Sequence, residues 1–427
     1  MTQSPTDTLI GILDNGWAGL TEPARQRIFG AQLIIGAGRT LELIRPHIPT
    51  HIECRDMDGH VREVADWVLQ ARMSGQNAVI LATGDPLCHG IGSLLGNRLE
   101  NLEILPNLSC LQLAFAHFAR PSQIYRIASC HGPDSGEWAN DNSNTPAHSL
   151  YDLMQAISRN PHVAAFTSPE NTPARIARAL LAAGYDSSDI RISVAARLHL
   201  PDEALFENLS LQEAAQTEFP QPNVVLIEHL SVPRQAIFGF ADADYIQRQP
   251  EKGLITKQEV RAVSLARLGI HEDSIIWDIG AGSGSVGLEA ARLACQGHVY
   301  AIEKNVDDAA NARVNARRLR ATNYTLIEGK APAGLEQWPA PDAVFIGGSG
   351  GELAQLIALI LDRLKPGGHL VMNFVTLENL AVATQTLATH RANWDVVQLQ
   401  ASRSQPILDM HRMAAQNPVW IVSAQKP

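Results

Sequence analysis

No stretch of this 427-residue chain approaches the roughly 18 uninterrupted apolar residues that a membrane-crossing helix needs, so no spanning segment and no membrane partner are expected. A basic excess is missing as well. Lys and Arg number 34 against 44 Asp and Glu, for a net charge of −10 and a pI near 5.8. A sequence-independent phosphate-binding face needs the opposite balance, so no nucleic-acid partner is expected. Cysteine is scarce and odd in number: Cys54, Cys88, Cys110, Cys130 and Cys295, with no C-x-x-C spacing. That usage excludes a disulfide scaffold and reads as reduced thiols in a cytoplasmic protein. The opening MTQSPTDTLIGIL has no basic n-region and only a short apolar run, which does not read as a signal peptide. The triplet Cys-His-Gly occurs twice, at 88–90 and 130–132. No third or fourth ligand lies at a familiar spacing, so no metal is expected, and polar turn histidines beside buried strand-end cysteines are the plainer reading.

What is present is the composition of a globular enzyme, 45% apolar and 18% charged. At about 150 residues per domain, the length implies two or three cores. Short apolar runs alternate with amphipathic segments: TLIGI (8–12), AQLIIG (31–36), NAVILAT (77–83) and LEILP (102–106) read as strands, and VREVADWVLQARM (61–73) as a helix. The alternation predicts a parallel α/β architecture. A Gly/Asn/Ser/Pro-rich stretch, 132–149, reads as a long surface loop. HVAAFTS, TPARIARALLAAG, DIRISVAA and NVVLIE then carry the first unit to Glu228. We take 1–230 as one domain, 231–250 as a linker with docking contacts from Phe238, Phe240 and Tyr245, and 251–427 as a second domain. The second domain runs helix TKQEVRAVSLARLG, strand SIIWDIG, helix GSVGLEAARLA, strand HVYAIE and helix DDAANARVNARRLR. YTLIEG, DAVFIGG, ELAQLIALILDRL, GHLVMNFV, WDVVQLQ and PVWIVSA complete it. The two halves share no local period, so no internal repeat is expected.

The densest motif is WDIGAGSGSVG, 277–287. From Gly282 it is G-x-G-x-x-G, a dinucleotide fingerprint; from Asp278 it is D-x-G-x-G-x-G, the form of S-adenosylmethionine-dependent methyltransferases. Both need a strand, a tight glycine turn and a helix N-terminus, and the flanking SIIWDIG and GSVGLEAARLA provide them. An acidic residue about 20 positions on, Glu303, suits a ribose in either case. Hydride and methyl transfer both remain open on these residues. Asp278 separates them: a carboxylate at the strand end suits the cationic amino-acid moiety of a sulfonium ligand and repels a pyrophosphate. DAVFIGG followed by LKPGGHLVMN resembles the fourth and fifth strands of class I methyltransferases, which favours methyl transfer.

The flanks extend the resemblance to nearly the whole chain. KGLITKQEVRAVSLARL and SIIWDIGAGSGSVGLEAARLACQGHVYAIEKN resemble the C-terminal domain of the decarboxylating precorrin-6Y C(5,15)-methyltransferases of cobalamin biosynthesis. GILDNGWAGLTEPARQRIFGAQLIIGAGRTLELI, VILATGDPLCHGIGSLL and PNLSCLQLAFAHF resemble the tetrapyrrole methylase domain fused to it. The resemblance implies an N-terminal tetrapyrrole methylase fold that methylates position 5, followed by a Rossmann-like class I domain that methylates position 15 and decarboxylates the ring C acetate. It implies one S-adenosyl-L-methionine site per domain, a small-molecule tetrapyrrole substrate and a homo-oligomer. In the C-terminal domain it assigns the cofactor to Thr256, Gly280, Ala281, Gly282, Ser283, Gly284, Glu303 and Ala331. In the N-terminal domain it assigns Gly84 and Asp85, in the loop that ends at Pro86. Leu13 stands where the family carries a second glycine, and Pro133 where a basic residue is expected. No side chain is assigned to chemistry beyond positioning, because in-line methyl transfer needs mainly attack geometry. Arg313, Arg317, Arg318 and Arg320 are candidates for substrate carboxylates, against the plainer reading of a solvated helix face, and Arg261 and Arg267 share that ambiguity. The alternatives are the same step on a cobalt-containing precursor, a nicotinamide-dependent oxidoreductase, and a non-catalytic corrinoid-binding protein.

Overall fold

The computed structural model describes residues 7–231, 236–248, 255–348 and 351–426, which form two compact units. The first comprises 1–132, 162–174 and 191–228; the second comprises 133–161, 175–190 and 229–427.

The first unit opens on β1 (Thr8–Ile12), β2 (Leu33–Gly36), β3 (Glu53–Asp56), β4 (Ala78–Thr83) and β5 (Glu103–Leu105). They form an all-parallel sheet in the order β3-β2-β4-β1-β5. β1 and β2 are buried along their whole length, which is why they read as continuous apolar runs. β3, ECRD, is an edge strand whose polar side chains hide it from a hydropathy reading. A second sheet takes β6 (Arg126–Ser129), β7 (His162–Phe166), β8 (Ile190–Ala196), β9 (Ala204–Leu209) and β10 (Asn223–His229) in the order β6-β7-β10-β8-β9. β10 runs antiparallel to β7, and β9 antiparallel to β8. This departs from the parallel expectation because alternating hydropathy fixes faces and not strand direction. Between β8 and β9 the left-handed residues Arg197 (φ 53°) and His199 (φ 65°) turn the chain back in a few residues, too few for a crossover.

The second unit is built on β11 (Ile275–Ile279), β12 (His298–Glu303), β13 (Tyr324–Glu328), β14 (Ala343–Ile346), β15 (His369–Phe374), β16 (Asn393–Leu399), a hairpin of β17 (Ser402–Ile407) and β18 (Met410–Ala415), and β19 (Val419–Gln425). Seven of these form one sheet, β13-β12-β11-β14-β15-β19-β16, parallel except for β19 against its two neighbours. Strand alternation divides the core into two layers. Ile276, Val299, Ala301, Phe345 and Val371 pack on one face; Trp277, Ile279, Tyr300, Ile302, Val344 and Ile346 pack on the other.

Residues 132–149 contain no helix or strand, yet part of the segment is tied down. β13 is an edge strand, and unpaired edge amides need a partner. Leu326 N donates to Asn142 O (2.9 Å), and Arg313 Nε donates to Asp141 O (3.0 Å). The Thr325 hydroxyl donates to Asn144 O. Since its one hydrogen is used there, Thr325 Oγ1 accepts from His298 Nε2 (2.8 Å), which leaves His298 Nδ1 to accept from the Tyr151 hydroxyl (2.8 Å).

Within 231–250, positions 232–235 and 249–250 lie outside the described residues. Tyr245 is buried and its hydroxyl donates to Glu289 Oε1 (3.0 Å); Phe240 packs on the same core, while Phe238 stays exposed.

Candidate functional site

The C-terminal cleft begins where β11 ends. Gly280, Gly282 and Gly284 all have positive φ (72°, 56° and 77°), so the tight turn requires glycine on conformational grounds. Their surroundings differ. A Cβ on Gly280 would lie 2.7 Å from Gly348 O, whereas one on Gly282 would meet nothing within 4 Å. The turn therefore packs on Gly347-Gly348 at one point and presents open space at another. The helix Ser285–Leu293 starts directly after Gly284, so its N-terminus lies at the turn.

A cleft of about 210 Å³ lies beside the turn, lined by Ile279, Gly280, Ile302, Glu303, Lys304, Gly329, Lys330, Ala331, Gly347 and Gly348. Of the residues assigned from sequence, Gly280, Glu303 and Ala331 line it, and Ala281, Gly282, Ser283 and Gly284 continue the turn. Thr256 is not among the lining residues; its carbonyl accepts from the buried Arg261 (2.6 Å). Glu303 Oε2 accepts from Gly282 N and Oε1 from Asn305 N, both at 2.8 Å. This carboxylate braces the glycine turn and keeps lone pairs for a vicinal diol, which suits a ribose.

Asp278 is placed otherwise than its sequence position suggests. It is fully buried, its Oδ2 accepts from Gly287 N (3.0 Å) and its Oδ1 has no partner. A Cβ on Gly287 would lie 2.4 Å from that carboxylate and 2.8 Å from the Tyr324 ring, so the side chain is enclosed beneath the first helical turn. Burial is the main cause that pushes its carboxyl up to about 7; the Gly287 N–H opposes the shift and Glu303 adds to it.

In the first unit a cavity of about 360 Å³ includes Gly84 and Asp85 among its walls. Gly84 has φ 68°, and a Cβ there would lie 3.3 Å from Leu108 O and Ser109 Cα. Asp85 Oδ1 accepts from Leu87 N (2.9 Å), which shapes the loop. Leu13, in place of a glycine, points away into a core with Leu111, Phe115, Tyr125 and Leu226. The close backbone approach belongs instead to Gly11, where a Cβ would lie 2.1 Å from Gly84 O. The cavity also gathers Asp14, Arg39, Cys88, His89, Cys110 and His131. The sequence signal for three of these, Cys88, His89 and His131, was the repeated Cys-His-Gly triplet; Asp14 and Arg39 carried none. No cluster of three or more His, Cys, Asp or Glu able to hold a metal occurs among the described residues.

Three of the candidate arginines have structural partners in the second unit. Arg313 pairs with Glu328, Arg317 donates to Leu181 O (3.2 Å), and Arg320 pairs with Asp189 (2.7 Å) and lies over the Tyr185 ring. Arg261, wholly buried, bridges Glu289, Asp242 and the Phe240 carbonyl, and Arg267 pairs with Asp395 (3.0 Å). Arg318 lies on the exposed face of its helix.

Comparison with known proteins assigns both halves. Residues 249–426 match the model of the precorrin methyltransferase domain, and 8–215 match that of the tetrapyrrole (corrin/porphyrin) methylases. A precorrin-6Y C(5,15)-methyltransferase (decarboxylating) of a Sinorhizobium species is 31% identical over 409 residues, covering 95% of this chain and 92% of its own length. A cobalt-precorrin-6B C(15)-methyltransferase (decarboxylating) of Salmonella typhimurium is 40% identical over 173 residues, 40% of this chain and 89% of that protein. Among solved structures, a precorrin-6Y C5,15-methyltransferase from Geobacter metallireducens is 39% identical with a TM-score of 0.44, and covers 46% of this chain and all of that one.

Proposed function

The chain belongs to the decarboxylating precorrin-6Y C(5,15)-methyltransferase family of cobalamin biosynthesis, and from that premise we propose how its two halves share the work. It is a methyltransferase, and its methyl donor is S-adenosylmethionine, which supplies an electrophilic methyl group on sulfonium. The substrate is precorrin-6Y, methylated at positions 5 and 15 with loss of the ring C acetate carboxyl as carbon dioxide, to give precorrin-8X. Residues 1–230 methylate position 5 and hold one cofactor at Gly84 and Asp85. Residues 251–427 methylate position 15, decarboxylate, and hold a second cofactor at Thr256, Gly280–Gly284, Glu303 and Ala331. The Salmonella relative supports this division: it is named for C(15) methylation and decarboxylation alone, and its alignment is comparable in length to 249–426.

The observation that carries the C-terminal assignment is the turn at Gly282, with open space at its Cα and a Glu303 carboxylate hydrogen-bonded to its N–H. There the protein orients and excludes water, and it needs no dedicated nucleophile. Carbon dioxide departs when the electron pair of the breaking C–C bond enters the adjacent conjugated macrocycle.

Calorimetric titration of the full chain with S-adenosylhomocysteine tests the reading. Two equivalents are expected, with no binding of NAD(H). In Glu303→Ala one site should weaken by roughly 10- to 100-fold, the loss of charged hydrogen bonds worth about 1.5–3 kcal/mol. A single equivalent in the wild type, or an unchanged pair of sites in the variant, contradicts it.

A further inference from the structure

The two Cys-His-Gly triplets lie 42 residues apart in sequence, and the fold brings Cys88, His89 and His131 to one cavity. Cys130 turns inward, its thiol donating to Phe166 O (3.2 Å). We propose that His131 is the base that removes the hydrogen of the bridge carbon methylated in this cavity, an inference that rests on the assignment of position 5 to residues 1–230. The step follows from the substitution itself. The bridge carbon attacks the methyl group with an electron pair of the conjugated system, the C–S bond breaks, and its pair stays on sulfur. The carbon then carries both hydrogen and methyl. Conjugation returns when the C–H bond breaks, its electron pair re-enters the macrocycle, and the proton passes to a base and then to water.

Of the other polar groups of the cavity, Thr83 offers only a weakly basic hydroxyl, and the rest are committed. Asp14 pairs with Arg39 (3.0 Å), and Asp85 holds Leu87 N. Burial raises the thiols of Cys88 and Cys110, which keeps both protonated and poorly basic. The Thr167 hydroxyl donates to Asn223 (2.6 Å to its carbonyl), and Ser109 and Gln112 close a helix-capping box. Two imidazoles remain. His89 has left-handed backbone (φ 55°), and its ring packs on Phe166 at 5.8 Å. His131 is held through its other nitrogen: Nδ1 lies 3.2 Å from Ser129 Oγ, which also accepts from His131 N (3.3 Å). With the hydrogen on Nδ1 donated to Ser129, the lone pair of Nε2 is open to a substrate. The groups around it act in both directions. Desolvation by the cavity walls and the neighbouring His89 hold its imidazole below the ordinary range, Glu170 opposes them, and the result is a neutral base at pH 7.

The test uses the full chain and ¹³C-methyl S-adenosylmethionine, with each labelled position resolved by NMR. His131→Asn keeps an amide donor for Ser129 and loses the base. Position-5 methylation should fall at least about 100-fold in kcat with KM for the cofactor unchanged, while position-15 methylation persists. Substrate deuterated at the position-5 bridge should then react more slowly than protonated substrate in the variant, because proton removal has become limiting. In the wild type the position-5 rate should fall on the acid side, as His131 takes up a proton. His89→Asn should move that limb to higher pH, since the neighbour that lowers the His131 imidazole is removed. Position-5 turnover within threefold of wild type in His131→Asn overturns the proposal. Loss of position-15 label with position 5 intact overturns instead the division of labour beneath it.

Discussion

Burial raises the carboxyl of Asp278 to about 7 and lowers the imidazole of His298 to about 3. The two groups therefore tilt stability in opposite directions. Asp278 holds a proton in the folded state at pH values where the unfolded carboxylate, with an ordinary value near 3.9, has lost it. Raising the pH from about 4 to 7 then removes stability, and above 7 the effect is constant. His298 is neutral when folded and takes up a proton only when unfolded between about 6.5 and 3, so stability is lost there as the pH falls. Asp278→Asn keeps an acceptor for Gly287 and removes the first effect. Relative to wild type, its stability by denaturant unfolding should improve between pH 5 and pH 8; an equal difference at the two values would show that Asp278 is not held protonated. At this scale the sequence was half legible. The glycine turn and Glu303 could be read from spacing, because spacing fixes backbone. That Asp278 turns under the helix could not, because its direction depends on Gly287 and Tyr324, which lie on other elements.

Among the elements, β13 shows how an irregular segment acquires a structural task. Its sequence, YTLIE, marks a strand, and nothing in it marks an edge. The segment 141–144 likewise reads as loop from composition, and its pairing with Leu326 depends on residues about 180 positions away. Long sequence separation also hides the roles of Arg313, Arg317 and Arg320, bonded to Asp141, Leu181 and Asp189, which look like a solvated face or an anion site until these partners are placed. The helix Leu377–Thr389 and the hairpin β17–β18 escaped for another reason. The helix buries few residues, Ala383 and Leu387, and the hairpin is mostly exposed, so neither carries a strong apolar period. Thr325→Val tests the strap. It removes the donor to Asn144 and leaves the buried Nε2–H of His298 without an acceptor, which costs about 1–3 kcal/mol. Denaturant unfolding should show that loss, and hydrogen exchange at Leu326 should accelerate; unchanged protection would mean that the strap does not secure the edge.

Over the whole molecule, the pairing of two glycine-loop architectures was legible because each half carries its own strand–helix series. The sharing of 133–161 and 175–190 with the second unit was not, since it depends on tertiary contacts alone. It has a consequence for dissection. A piece comprising 240–427 lacks Tyr151, Asn142 and Asn144, and so leaves His298 and the β13 edge uncovered. We expect that piece to fold, with a lower unfolding midpoint than the same region in the intact chain, and to regain stability when mixed with 1–230. An equal midpoint alone and mixed, by differential scanning calorimetry, would show that these contacts contribute nothing.

The central claim is that the two methyl groups are delivered from separate sites, one in each half. Gly282→Val puts a β-branched side chain at φ 56° and fills the open space beside Glu303, while the cavity at Gly84 and Asp85 is untouched. The direct measurement is product analysis after incubation of this variant with precorrin-6Y and ¹³C-methyl S-adenosylmethionine, by mass and by ¹³C NMR. No label at position 15 and no loss of carbon dioxide is the result expected, with Gly84→Val as the counterpart that loses only the position-5 label. Label at position 15 with carbon dioxide release at wild-type levels in Gly282→Val would contradict the account.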